Sequence, residues 1–179
     1  YCYKLHDGRR KVILVSKKPW ENVCTVGNEM LPPGRFCSGL SHGVQFHGVC
    51  IPWRSAHVTT GEKNRELWED HVAYLDGLKK ILGSSRDPSV VFGDFNQRIP
   101  RKYSPEHVYR KLINTFEPRY EIVTSGEVKG IQKPVIDHLA LSGKFRATSI
   151  LGMPATQGGS RLSDHDGVVV ELHGPESDV

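Results

Sequence analysis

The sequence predicts one mixed α/β domain in which helices cover a mixed β-sheet, and three observations carry that expectation. Short β-branched runs bounded by Gly and Pro recur along the chain, as buried strands do. Two stretches switch to the three-and-four spacing of an amphipathic helix. At 179 residues the chain is long enough to bury one core and too short for two comfortable domains, so residues 1–179 are read as a single unit.

The run Lys11-Val12-Ile13-Leu14-Val15-Ser16 reads as a buried strand, ended by Lys17-Lys18-Pro19. Leu31-Pro32-Pro33-Gly34-Arg35 is a strong breaker, and Val44 to Ile51 returns as a strand that alternates at first and is then apolar. From Thr59 the period changes: Leu67, His71, Tyr74, Leu75, Leu78, Ile81 and Leu82 share one helix face. Thr59 with Glu62 fits a capping box, and Gly83 fits a left-handed stop. Ser89 to Phe92 is a short buried strand. Ser104-Pro105-Glu106 opens a second helix, with Pro at its first position and Val108, Leu112 and Phe116 on one face. Strands at Tyr120 to Thr124, Val135 to Ser142, Phe145 to Leu151 and Gly167 to Leu172 complete the set, separated by Gly- or Pro-containing loops.

Composition narrows the function classes. Hydrophobic residues make up 37% and charged residues 25%, which suits a loop-rich globular domain and not a disordered or fibrous chain. No apolar run approaches the roughly 20 residues that span a bilayer, and the first seven residues hold no apolar core of a leader, so a cytoplasmic protein without membrane insertion is expected. Cys2, Cys24, Cys37 and Cys50 contain no Cys-x-x-Cys pair, which speaks for reduced thiols over a zinc knuckle or a disulfide scaffold. The net charge of +4 favours a polyanionic partner through phosphate neutralisation, and nothing specifies a protein partner.

The chemistry gathers where strands end. Val90-Val91-Phe92-Gly93-Asp94-Phe95-Asn96 places an acid and an amide two residues apart past a buried strand, where Gly93 permits unusual backbone. Val135-Ile136-Asp137-His138-Leu139-Ala140-Leu141-Ser142 sets a carboxylate at the start of an apolar strand, and Leu162-Ser163-Asp164-His165-Asp166-Gly167 does the same with an Asp-His pair. A carboxylate beside an apolar strand must be paired, hydrogen-bonded or metal-bound. Each block alone could be a turn or cap, since Asp, Asn, Ser and Gly are common loop formers; three in one small domain exceed what structure usually needs.

Gly93-Asp94-Phe95-Asn96, then Ile136-Asp137-His138 with Ser142, then Ser163-Asp164-His165, in this order, resemble signature blocks of the endonuclease/exonuclease/phosphatase superfamily. The resemblance covers nearly the whole chain and implies a four-layer α-β-β-α sandwich with two mixed β-sheets face to face. It implies a Mg2+-dependent phosphoester hydrolase, with Mn2+ as the substitute ion, acting on nucleic acid or another phosphoester. By this resemblance Asp94 orients or deprotonates the attacking water and Asn96 holds a phosphate oxygen. His165 stabilises the phosphorane or shuttles a proton, Asp137 accepts its other ring N–H, and Asp164 ligates the metal. Trp53, Arg54 or His57 would contact the scissile phosphate, and His138, next to Asp137 on a strand, would point to the opposite face. Lys129, Lys133, Arg146 and Arg161 are candidates for a phosphate-facing rim, with plain solvation as the bland alternative. No His-x-x-x-His spacing backs a zinc site on His138 and His165.

The superfamily's opening Asn strand and Leu-Gln-Glu-like block, whose Glu is a principal metal ligand, have no counterpart here, since Lys11 already begins what resembles a central strand. An N-terminally incomplete domain is therefore expected, with weak catalysis and an exposed sheet edge prone to self-association. A lipid or inositol phosphate substrate, or a phosphate-binding module without turnover, are the competing readings.

Overall fold

The computed structural model describes residues 10–60, 64–85, 88–143 and 145–174. Its main sheet has six strands in the order β1-β2-β3-β4-β6-β5. These are β1 (Glu21–Cys24), β2 (Phe36–Ser41), β3 (Val44–Cys50), β4 (Ser89–Asp94), β5 (Glu121–Ile122) and β6 (Asp137–Leu141). The β3–β4 pair is parallel and the rest are antiparallel. A parallel pair needs a crossover, and α1 (Ala56–Thr60) and α2 (Glu69–Ser84) supply it; α3 (Glu106–Phe116) follows β4. β7 (Arg146–Met153) and β10 (Gly167–His173) form an antiparallel ribbon, joined by the small hairpin of β8 (Thr156–Gln157) and β9 (Ser160–Arg161).

Strand parity sorts the side chains into layers. On β4, Val91 faces the helices, in a core with Val49, Ala140, Tyr74, Leu75 and Leu78 of α2 and Leu112 and Phe116 of α3. Its neighbour Val90 faces the other way, with Val44, Leu141, Phe92 and Leu139, against Phe145 and Leu172 of the ribbon side. The expected sandwich is thus present as a helix layer, a mixed sheet and a second sheet. Among the described residues no helix lies outside the ribbon.

The helix faces read from spacing are the buried ones: His71, Tyr74, Leu75, Leu78 and Leu82 on α2, and Val108, Leu112 and Phe116 on α3. Contacts along α2 fix it in place. The His71 ring Nδ1 meets the Pro52 carbonyl at 2.7 Å, Tyr74 Oη donates to Arg35 O at 2.7 Å, and Asn28 Nδ2 donates to Gly77 O at 2.8 Å. At the C-terminus the Arg119 guanidinium donates to Leu82 O at 2.6 Å and to Ser85 O.

Four local expectations differ. Residues 11–16 join no sheet: Val12 and Leu14 lie over the bare backbone of Gly48 while Ile13 and Val15 point to solvent, and Lys11 N donates to Gly34 O. The segment crosses a sheet face and so alternates like a strand without being one. The long helix starts at Glu69, not Thr59, because Trp68 turns the chain at φ 72° and its N–H is taken by Arg54 O; Leu67 stays exposed and Thr59 belongs to the separate helix α1. Glu62, the other half of the expected capping box, lies outside the described residues. Gly83 remains inside α2, since the Arg119 guanidinium caps the last carbonyls and no left-handed residue is required. Pro105 stands just before α3, and its carbonyl accepts the Tyr109 N–H at 3.0 Å.

Among the described residues Cys24, Cys37 and Cys50 are free thiols, and no helix is long and apolar enough to cross a membrane.

Candidate active site

Asp94 ends β4 and Asp137 begins β6, and the two are direct partners across the antiparallel ladder. Both have the parity of Val90 and Leu141, so both carboxylates emerge on the ribbon side. Gly93 makes this turn attainable: its φ is 131°, and a Cβ there would sit 2.1 Å from Val49 O. Only glycine fits. The chain then folds back at Asn96, itself left-handed at φ 54°, so that its N–H and Nδ2 donate to the two Asp94 oxygens at 2.8 and 2.7 Å. Asn96 Nδ2 also donates to Ile51 O at 2.7 Å. Both hydrogens of this amide are thus engaged inside the chain, and Asn96 orients Asp94.

The loop before β10 brings the third group. His165 Nε2 lies 3.1 Å from Asp137 Oδ1, and His165 Nδ1 lies 2.9 Å from Asp164 Oδ1. Asp166 holds the loop by accepting the Ala155 N–H at 2.7 Å, and Arg161 Nε donates to Ser163 O at 3.0 Å. Ligand atoms of Asp94, Asp137 and His165 all lie within 4.8 Å of one another.

Electrostatics follow from this crowding. Burial raises the Asp94 carboxyl to about 6; the Asn96 amide opposes that shift, Asp137 adds to it and His165 reduces it. Burial likewise raises Asp137 against the pull of His165. Desolvation alone would lower His165, but the charges of Asp137, Asp94 and Asp164 outweigh it and raise the imidazole above its ordinary value. Desolvation acts on Asp164 in the upward sense, but the charge of His165 and the hydrogen bonds to the carboxylate together overcome it and hold Asp164 below its ordinary value. The donor set suits a hard divalent ion. Two half-buried carboxylates with elevated proton affinity carry charge that a cation would offset, and oxygen donors are what Mg2+ or Mn2+ prefers. A protonated His165 would not ligate it.

Asp94, Asn96, Asp137, Asp164 and His165 come together as the sequence places them in order. Trp53 and Arg54 stand exposed on the loop that leaves β3 through Ile51, whose carbonyl the Asn96 amide holds, whereas His57 is buried on α1. His138 points away from Asp137 into the helix-side core, as alternation requires. Its Nδ1 meets Thr124 Oγ1 at 2.9 Å and its Nε2 meets Gln97 O at 3.1 Å.

Sequence reasoning missed Gln97, which is buried, donates to His71 Nε2 at 2.7 Å and to Val108 O at 3.4 Å, and so links the Asp94–Asn96 turn to both helices. The one available signal was a polar residue directly after the Asn96 block. Arg35 was also missed; its guanidinium donates to Cys50 O at 3.1 Å, and Cys50 is the β3 partner of Asp94.

No protein-family profile and no curated protein sequence matches the chain. Solved structures do. An AP endonuclease from Archaeoglobus fulgidus superposes with TM-score 0.68 at 14% identity, over 88% of this chain and 72% of its own. The 3' phosphatase NExo from Neisseria, bound to a product DNA hairpin, gives TM-score 0.61 at 15% identity, over 89% and 73%. The 3'-5' exonuclease NExo from Neisseria meningitidis gives TM-score 0.57 at 14% identity, over 88% and 73%. This chain therefore has the fold of the endonuclease/exonuclease/phosphatase proteins.

Proposed function

We propose that the chain is a divalent-metal-dependent phosphoester hydrolase whose substrate is a nucleic acid. The observation that carries this reading is the pairing of Asp94 with Asp137 on adjacent strands, with His165 set against Asp137 from a separate loop. The likeness to an AP endonuclease and to an enzyme bound to a DNA hairpin supports nucleic acid as the substrate class, as does the net charge of +4.

Asp94, raised to about 6, is ionised at neutral pH yet basic enough to orient and deprotonate an attacking water. Asn96 holds that carboxylate in one orientation and, by releasing one of its two amide bonds, can reach a phosphate oxygen. His165, charged between Asp137 and Asp164, offsets negative charge gathering on the phosphoryl oxygens and can return a proton to the departing oxygen. Asp164 is the metal ligand we assign, with Asp94 and Asp137 as further oxygen donors. When bound, Mg2+, or Mn2+ in its place, supplies Lewis-acid polarisation of the phosphoryl group. Trp53 and Arg54 are the substrate contacts assigned on the 51–55 loop, and His57 follows them, buried at the start of α1.

The test is hydrolysis of DNA, RNA, sphingomyelin and inositol phosphates with Mg2+, comparing the native chain with His165→Ala. Turnover of DNA or RNA, abolished by chelator and by the substitution, is expected. Turnover of the lipid or inositol phosphates alone would keep the chemistry and replace the substrate. No turnover on any of them would sink the hydrolase reading.

A further inference from the structure

The chain leaving the Asp94–Asn96 turn does not return to the core at once. After buried Gln97 and Ile99 it runs through Arg98, Arg101, Lys102 and Tyr103 before Ser104 is buried again ahead of α3. Within this loop Tyr103 is 73% exposed. Two cations lie against its ring: Arg98 Cζ is 5.1 Å and Lys102 Nζ 5.4 Å from the centroid.

The three loop cations are not equivalent. Arg101 is neutralised by Glu106 at 2.8 Å and donates to Ser104 O, so it serves the start of α3. Arg98 and Lys102 pair with no carboxylate among the described residues. The loop base is fixed, because Gly126 N donates to Ile99 O at 2.8 Å and Arg98 Nε donates to Pro134 O at 3.1 Å. The second bond draws in the 129–134 loop, which carries Lys129 and Lys133. A pre-ordered aromatic with unneutralised cations at its side is what single-stranded nucleic acid binds: bases stack on the ring and phosphates meet the cations.

We propose that the 98–103 loop is a docking platform for unpaired nucleotides, with Tyr103 stacking on a base and Arg98 and Lys102 meeting the flanking phosphates. This rests on nucleic acid being the substrate class, and it adds a place where the strand is gripped beyond the reacting phosphate. The loop follows the Asp94–Asn96 turn directly in the chain, and the Arg98 bond ties it to Pro134, three residues before Asp137.

The experiment is fluorescence-anisotropy titration of a labelled oligothymidylate, with chelator present so that nothing is cut, against the native chain, Tyr103→Ala, Tyr103→Trp and the Arg98→Ala/Lys102→Ala pair. Tyr103→Ala should weaken binding roughly tenfold, the loss of one base stack, while Tyr103→Trp retains it. An oligomer of abasic sugar phosphates should be indifferent to Tyr103→Ala. The double variant should lower the slope of log affinity against log salt by about 0.7 per lost phosphate contact. Equal oligothymidylate affinity for the native chain and Tyr103→Ala, or no affinity of the native chain at all, would overturn the platform. Turnover of bis(p-nitrophenyl) phosphate, which has no base, is measured on the same proteins. Its absence would count against the hydrolase reading alone, and its presence with unchanged binding would count against the platform alone.

Discussion

The two halves of the site are built by opposite means. Asp94 and Asn96 lie in a turn held by Gly93, by backbone bonds from Ile51 N to Asp94 O and from Phe95 N to Ile136 O, and by Gln97 wedged between His71 and His138. Asp164 and His165 lie on a loop where the Asp164 side chain is 80% exposed, and among the described residues the imidazole bonds two carboxylates. The first half is fixed before any substrate arrives. The second is held by loop bonds at Asp166 and Arg161 and meets the first through Asp137. In the hydrolase we propose, groups that aim a water at phosphorus belong on the rigid half, and groups that meet an ion or a leaving oxygen can sit on the open one.

That contrast is broken most severely through the half-buried Asp94 carboxylate. Asp94→Asn should lower the rate by about a thousandfold or more, because it removes the proposed proton acceptor at nearly unchanged size, with a lower melting temperature since its new N–H faces one of the two Asn96 donors. Single-turnover kinetics checks this, and a loss below tenfold would move the base elsewhere. Next comes the backbone that aims it. Gly93→Ala forces a Cβ into the Val49 carbonyl and should cost about 3 kcal/mol in urea unfolding, as strained backbone and overpacking do.

The frame behind the rigid half makes a pH prediction. Burial lowers His47, His71 and His138 from 6.5 to about 4. The unfolded chain therefore binds protons more readily. Stability from these residues is fully present above about pH 6.5 and is lost as pH falls toward 4, each contributing a slope of at most about 1.4 kcal/mol per pH unit. Asp94 and Asp137, shifted upward, act in the opposite sense and soften the decline. His47 is the probe of choice, since its Nε2 contacts Ser85 Oγ at 2.8 Å, whereas His71 and His138 both bond Gln97 next to the Asp94–Asn96 turn. Chemical denaturation of His47→Gln between pH 5 and 6 should give a slope flatter by about that 1.4 kcal/mol per unit; an unaltered slope would mean that His47 does not titrate there. The smallest effect is expected on the open half. Asp164→Asn should reduce the rate at saturating Mg2+ by about tenfold or less and raise the Mg2+ concentration for half-maximal activity. A loss equal to that of Asp94→Asn would erase the distinction between the halves.

What the sequence made legible follows the same division. Period alone exposed the faces of α2 and α3 and the strands that became β3, β4, β6, β7 and β10, because each buries a stripe or a face. It could not see partners. Val12 and Leu14 alternate as strand residues do, yet they cover Gly48, and β1 and β2 pair along an edge that no pattern in Glu21–Cys24 announces. Within the site, the order of the three blocks was visible and their convergence was not. That Asp94 faces Asp137 depends on β6 inserting next to β4, while chain order would put β5 there. Gln97 escaped notice because its burial is made by Val108 and His71, residues on two different helices.

The bonds spaced along α2 bear on how the molecule opens. Pro52, Arg35, Asn28 and Arg119 grip it at successive turns from first to last, and each grip ends on a different segment of the chain. Neither terminus can fray without releasing a bond to the sheet or its loops. Amide protons of α2 should therefore exchange with solvent deuterium only when the whole domain opens, which makes the helix a built-in gauge of global unfolding for every variant above.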